Sequence, residues 1–231
     1  MGFLYDCTAN IVRRIYDRRI AGPPTLALDA YFPDGHRFIS AWQDIRNEAL
    51  VIARDIESVP RFHDVMPEQE AISANDHRDW RLFILKAYGT DIPTNMASCP
   101  RLSSLASTIP DVLSASLSFL APGKHIPQHR GPFRGVLRFY LGLSIPSSED
   151  GSPATVLMIN GVEHRIGNGE CLLWDDTYPH EVWNRSDKLR AALLLDVRRH
   201  GMPFDMEIFS RMLIAVARVG IRLRGVGAPA R

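Results

Sequence analysis

The chain has 231 residues, 27 Lys and Arg against 26 Asp and Glu, and 45% hydrophobic residues, enough for one substantial core. The near-balance of charge argues against nucleic acid as the main partner. The three cysteines, Cys7, Cys99 and Cys171, are odd in number and lack paired zinc spacings, so they predict free thiols in a reducing compartment and no disulfide.

In chain order, "MGFLYDCTANIVRRIYDRRIAGPP" interrupts its apolar residues with Asp6, Arg13, Arg14, Asp17, Arg18 and Arg19. It therefore predicts neither a secretory leader nor a membrane span, and a cytoplasmic protein. Ile11, Val12, Ile15 and Tyr16 repeat at helical spacing, giving a short amphipathic helix that packs on the domain or lies on an anionic surface. "RFISAWQDIRNEALVIARDI" places Phe38, Trp42, Ile45, Ala49, Ile52 and Ile56 three and four apart, which predicts one long scaffold helix. A loop rich in acidic residues, Pro and His follows, and "WRLFILKAYG" reads as a strand ended by Gly89. "NMASCPRLSSLASTIPDV" reads as a second short helix closed by Pro110.

From residue 113 the texture changes to short β-like runs: "SASLSFLAPG", "GVLRFYLGLSIP", "ATVLMINGVEHRIGNGECLLWDD", "HEVWNRS" and "LRAALLLDVRR". Asn160-Gly161 is a hairpin signal. The pattern predicts a mainly β fold with flanking helices, a double-stranded β-helix (jelly roll, cupin-like). A single catalytic domain over 1–231 is expected, with a helical and mixed part at 1–110, the jelly-roll core at 111–200 and a C-terminal helix at 201–231. In that helix, Arg211, Arg218 and Arg222 make a narrow basic stripe, either solvated or apposed to an anionic membrane surface.

Alternation in "VLRFYLGL" sets Leu137, Phe139, Leu141 and Leu143 on one face and Arg138, Tyr140 and Gly142 on the other. An arginine turned into a small barrel needs an anion, whereas on an outer face Arg138 is merely solvated. Arg190, opening another strand, says less by itself. His125 and His129 are four apart, but Pro127 between them rules out a helical zinc pair. His180, at a turn-to-strand junction in "WDDTYPHEVW", is the other candidate, although a lone histidine is more often structural.

Together, "SFLAPGKHIPQHRGP", "LRFYLGLSIP", "GNGECLLWDDTYPHEVWN" and "LRAALLLDV" resemble, in order and spacing, the catalytic core of the aspartyl/asparaginyl β-hydroxylase family. These are iron(II) and 2-oxoglutarate dependent dioxygenases that include lipid A acyl-chain hydroxylases. The resemblance covers Ser118 to Arg199. It implies His129 and His180 as the two iron ligands, with open positions for 2-oxoglutarate and O2. It implies Arg190 and Ser118 at the distal carboxylate of 2-oxoglutarate and Arg138, with Tyr140, near the proximal end. Substrates of the family type are a peptide, a small molecule such as a free amino acid, or a lipid.

Two departures matter. Tyr140 stands where the family commonly has histidine, and a phenol can still donate a hydrogen bond. Gly131 stands two residues after His129, where many iron oxygenases carry a ligating carboxylate. A glycine there resembles the peptidyl branch, with water in place of the carboxylate, whereas "RLFILKAYG" and Cys99-Pro100 look more like the lipid A branch. Asp175 and Asp176 are expected to orient the loop carrying His180. Besides hydroxylation, two alternatives stay open: a halogenase that places chloride beside Gly131, and a non-catalytic cupin-like metal-binding module. Contact with the inner face of a membrane through the basic C-terminal helix is the corresponding expectation for location.

Overall fold

The computed structural model describes residues 2–224. The chain opens with α1 (Gly2–Asp17), then α2 (Leu28–Tyr31), α3 (Gly35–Ser40) and α4 (Trp42–Ala53). The single long helix expected from Phe38 to Ile56 is thus divided. It breaks at Ala41, which leaves helical backbone at φ −99°, ψ 11°, and a separate one-turn 3-10 segment holds Ile56–Ser58. Phe38 of α3 and Ile45 of α4 are both fully buried in the core. The acidic, Pro-rich loop carries two single-turn helices, α5 (Phe62–Val65) and α6 (Glu70–Ser73).

Strand β1 (Trp80–Ala87) pairs with the short β2 (Thr90–Asp91). The helix expected around Cys99 is also two helices, α7 (Pro93–Ser98) and α8 (Pro100–Thr108). Pro100 cannot continue the preceding helix but suits the first position of the next.

The remaining strands are β3 (Val112–Leu120), β4 (His125–His129), β5 (Val136–Ser144), β6 (Thr155–Ile159), β7 (Val162–His164), β8 (Cys171–Trp174), β9 (His180–Asn184) and β10 (Arg190–Arg198), before α9 (Phe204–Arg224). Residues 225–231 of the expected C-terminal helix (201–231) lie outside the described residues. Asn160 and Gly161 take φ 49° and 81° between β6 and β7, the left-handed pair that a two-residue hairpin turn needs.

Two antiparallel sheets face each other, in order β2-β1-β3-β10-β5-β8 and β4-β9-β6-β7. This is the jelly roll, and the larger sheet takes two strands from before residue 111, so the β core begins earlier than its sequence texture. Period-two alternation decides the layers. Leu137, Phe139, Leu141 and Leu143 pack outward with Phe38 and Ile45 in the main core under α3 and α4, and Phe139 meets Phe32 edge-on at 5.6 Å. The opposite face, Tyr140 with Leu157, Ile159, Trp174 and Ala192, fills the barrel interior. A third cluster closes one end, where Tyr16 of α1 meets Phe133, Met206 and Ile214.

Candidate active site

His129 ends β4 and His180 begins β9, and the register pairs them directly across the ladder. Their rings lie 4.1 Å apart. Each Nδ1 faces a backbone carbonyl two residues back, Pro127 O at 2.8 Å and Tyr178 O at 2.9 Å. A carbonyl accepts only, so Nδ1 carries the proton in both rings and both Nε2 lone pairs are available to a metal. Burial drives both imidazoles toward the neutral form, His129 to a pKa of about 4 and His180 well below the usual histidine range. His125 takes no part, stacking on Trp183 at 4.7 Å and facing Glu181.

Arg190 lies on the same cavity as the two histidines, with Ser118, Arg138, Tyr140, Thr155 and Trp174. It is 2% exposed. Its Nη1 donates to Ser118 O and Ser118 Oγ, both at 3.2 Å, and its guanidinium lies 5.7 Å from the Tyr140 ring centre. Trp80 Nε1 also donates to Ser118 Oγ, at 3.1 Å, which leaves the Ser118 hydroxyl proton free to be given to a ligand. Arg190 Nε, Tyr140 Oη, Thr155 Oγ1 and Trp174 Nε1 are buried without hydrogen-bond partners. Leaving such groups unmatched costs roughly 1–3 kcal/mol each, so this cavity is built for a polar guest.

Every other buried cation among the described residues has a carboxylate: Arg81 with Glu57 and Asp79, Lys124 with Asp76, Arg134 with Asp17 and Asp175, and Arg199 with Asp175. Arg190 has none among them, and burial lowers its pKa. A desolvated guanidinium without a counter-ion calls for an anion. The donor set therefore fits a dicarboxylate cosubstrate at one end and a metal on two imidazoles at the other.

Arg138 lines the cavity, and its guanidinium is engaged by Asp196 at 2.8 Å and Asp176 at 3.3 Å. The absence of a side chain at Gly131 does not leave open space. A β-carbon there would fall on the Asp176 carboxylate, overlapping Cγ and both oxygens, and Gly131 N donates to Asp176 O at 2.7 Å.

Burial, with Asp196 and Asp175 nearby, raises the Asp176 carboxyl to about 7, opposed by Arg138. Asp175 behaves as the turn reading requires: its Oδ1 accepts from Thr177 N at 3.1 Å and Thr177 Oγ1 at 2.5 Å. Among the described residues no three His, Cys, Asp or Glu side chains converge to hold a metal.

Sequence reasoning missed Trp80, Thr155 and Trp174, and gave Asp176 only a loop-orienting part. A tryptophan opening a strand or a threonine opening another carries no signal in one sequence. Asp176 had one, being four residues before His180 in the turn that delivers it.

A family model described as aspartyl/asparaginyl beta-hydroxylase matches residues 40–200. The chain is 34% identical over 175 residues to an ornithine lipid ester-linked acyl 2-hydroxylase of Rhizobium tropici, covering 76% of this chain and 60% of that protein. It is 26% identical over 168 residues to the human aspartyl/asparaginyl beta-hydroxylase, covering 68% of this chain and 20% of that protein. The match thus spans less than two thirds of either relative. Among solved structures, a Pseudomonas putida prolyl-4-hydroxylase aligns with a TM-score of 0.42 and 18% identity, over 69% of this chain and 88% of that one.

Proposed function

Because the chain belongs to the aspartyl/asparaginyl beta-hydroxylase family, we propose that it is an iron(II)- and 2-oxoglutarate-dependent dioxygenase that hydroxylates an unactivated C–H bond of a lipid acyl chain. The observation that carries the cosubstrate is Arg190, a buried guanidinium without a carboxylate among the described residues, on one cavity with two neutral imidazoles. Arg190 and the Ser118 hydroxyl would hold the distal carboxylate of 2-oxoglutarate, a planar fork meeting a planar acceptor. Tyr140 Oη and Thr155 Oγ1 line the same space and can donate to oxygens along its length.

His129 and His180 would hold the iron through Nε2. When bound, iron and 2-oxoglutarate supply O2 activation and the oxidising power for C–H cleavage. The residues do the rest. The Pro127 and Tyr178 carbonyls fix both imidazole tautomers, and burial keeps protons from competing with a metal at neutral pH. Asp176, clamped by Arg138 and titrating near neutrality, places a protonatable oxygen beside Gly131, next to the histidine that ends β4. Ile126, Leu157, Trp174 and Val182 wall the cavity and exclude water.

The acyl-chain reading draws on a second cavity that shares His129, Arg138 and His180 with the first, adds Gly131 and Asp176, and runs outward past Phe62, Val65, Met66, Leu82, Tyr88 and Pro132. Its polar lining away from the histidine pair includes Gln69, Lys86, Ser114, Ser116 and Asp196, and an aspartyl or asparaginyl substrate would need a free cation among such groups. The cations of that wall are already engaged, Arg138 by two carboxylates and Lys86 by Ala106 O at 3.0 Å. The Rhizobium relative acts, by its name, on a lipid acyl chain, which accords with these apolar walls. The test is incubation with iron(II), 2-oxoglutarate and a panel of acylated lipids, aspartyl peptides and free amino acids, read by mass. One oxygen gained on an acyl chain is the expected product; gain on a peptide or amino acid alone would overturn the substrate class.

A further inference from the structure

Helix α9 is apolar on two sides. Its inward line, Met206, Ser210 and Ile214, is buried against the body, at 3%, 2% and 3% exposure. The other side carries Phe204, Ile208, Met212, Val216, Val219 and Leu223, spaced four, four, four, three and four apart, all at least half exposed and Leu223 at 83%. At this spacing they form one stripe along the helix. Apolar side chains are stabilised by leaving water, and a continuous exposed apolar patch marks an interaction site. Helix α1 presents Ile11 and Ile15, 57% and 39% exposed, and the two helices are joined where Tyr16 meets Phe209 and Ser210.

Between these helices runs a cleft lined by Ala9 and Val12 of α1 and Leu213, Val216 and Ile221 of α9. It is continuous with the active site, because Val65, Met66, Tyr88, Pro132 and Ile221 line both the cleft and the cavity shared by His129, Asp176 and His180. The exposed charge of the two helices is mainly basic. Arg14, Arg18, Arg211 and Arg222 are exposed against Glu207 and, in the cleft lining, Glu68, while Asp17 is taken up by Arg134 at 3.3 Å and Asp205 by Arg19 at 2.8 Å. The stripe expected through Arg218 is redistributed, since Arg218 Nε donates to Tyr88 O at 2.8 Å.

We infer that the α1/α9 face docks on an anionic bilayer and that the cleft between the two helices admits an acyl chain from that bilayer to the histidine pair. The route through the cleft rests on the acyl-chain reading above; the docking does not. An apolar stripe beside arginines suits an interfacial helix, whose side chains enter the headgroup boundary while guanidinium groups meet lipid phosphates. No helix among the described residues is long and apolar enough to cross a membrane, so the helices lie on the surface. A second copy of the chain fits less well. A two-fold contact through this patch would bring two faces of the same basic charge together and would cover the mouth of the cleft.

The full chain, without iron or cosubstrate, is floated with phosphatidylglycerol/phosphatidylcholine vesicles and with phosphatidylcholine alone. Binding to the anionic vesicles that weakens as salt rises is expected. Ile208→Glu with Met212→Glu should cut it by roughly 10-fold or more, and Arg211→Glu with Arg222→Glu should remove the preference for anionic lipid. On the acyl substrate in detergent both double variants should turn over like the parent, and on the same substrate in vesicles both should be slow. Absence of vesicle binding, or binding unchanged in Ile208→Glu/Met212→Glu, overturns the docking. So does a parent dimer that this variant turns into a monomer with no affinity for vesicles. Vesicle binding with no turnover of any acyl lipid would leave the docking in place and remove the acyl-chain reading.

Discussion

The Asp176 carboxylate occupies the place where a side chain on Gly131 would begin. A β-carbon at 131 would overlap Cγ and both oxygens of Asp176, so the two positions compete for one carboxylate's worth of space beside His129. The glycine is therefore the complement of the aspartate, and Arg138 holds the aspartate there at 3.3 Å.

Gly131→Asp should accordingly fail, because its carboxylate and that of Asp176 cannot both fit; turnover should fall by roughly 100-fold with the fold retained, as misplacing a group by about 1 Å can do. Gly131→Asp combined with Asp176→Gly should recover part of that loss. Steady-state hydroxylation by the parent, the single and the double variant checks it, and a fully active Gly131→Asp enzyme would contradict the competition.

Arg190→Lys keeps the charge and loses the fork, so the apparent affinity for 2-oxoglutarate should drop by about 10-fold or more. Tyr140→Phe should separate function from stability. Its hydroxyl is buried without a partner, so removing it should leave the cosubstrate-free protein as stable or more stable by about 1 kcal/mol, while weakening 2-oxoglutarate binding several-fold. Urea denaturation and cosubstrate titration give the two readouts.

The larger outline of this arrangement was legible in the sequence and the details were not, for identifiable reasons. The alternation in β5 put Arg138 and Tyr140 on one face, since a period of two is a property of the strand itself, but which face turned inward was left open. Asn160-Gly161 marked its hairpin because left-handed backbone there favours those two residues. The carboxylate partners of Arg138 were not legible, because Asp176 comes from the turn after β8 and Asp196 from β10, and neighbours across a sheet leave no local trace. The break at Ala41 has no proline or glycine to announce it.

The Asp176 carboxyl gives a pH dependence of definite sign. Its folded pKa of about 7 lies above the ordinary value of roughly 3.9, so between these values the folded state holds more protons than the unfolded one. This contribution is fully present below about pH 4 and is lost as pH rises through about 7. Asp176→Asn removes the titration, so in metal-free protein the variant should gain on the parent between pH 5 and pH 8, by on the order of 2 kcal/mol. Urea midpoints at the two pH values measure this, and a gain in the opposite direction would show that the carboxyl is not raised.

Lys124 is fully buried, with Nζ on Ser73 O at 2.5 Å, Asn75 Oδ1 at 2.8 Å and Asp76 Oδ1 at 2.6 Å. It ties the segment after α6 to β4, which carries His129. Lys124→Met fills similar volume but strands Asp76, so it should cost about 3–5 kcal/mol. Thermal unfolding checks this, and a stability loss under about 1 kcal/mol would mean the segment is held by other contacts.

The most direct measurement is product mass and succinate yield from acylated lipid, iron(II), O2 and 2-oxoglutarate, with the parent, His129→Ala and His180→Ala proteins side by side. The account predicts one oxygen added to the acyl chain in step with succinate formation by the parent, unchanged by added chloride, and no product from either histidine variant although both remain folded. Undiminished product from either variant, or a chlorinated product from the parent, would contradict it.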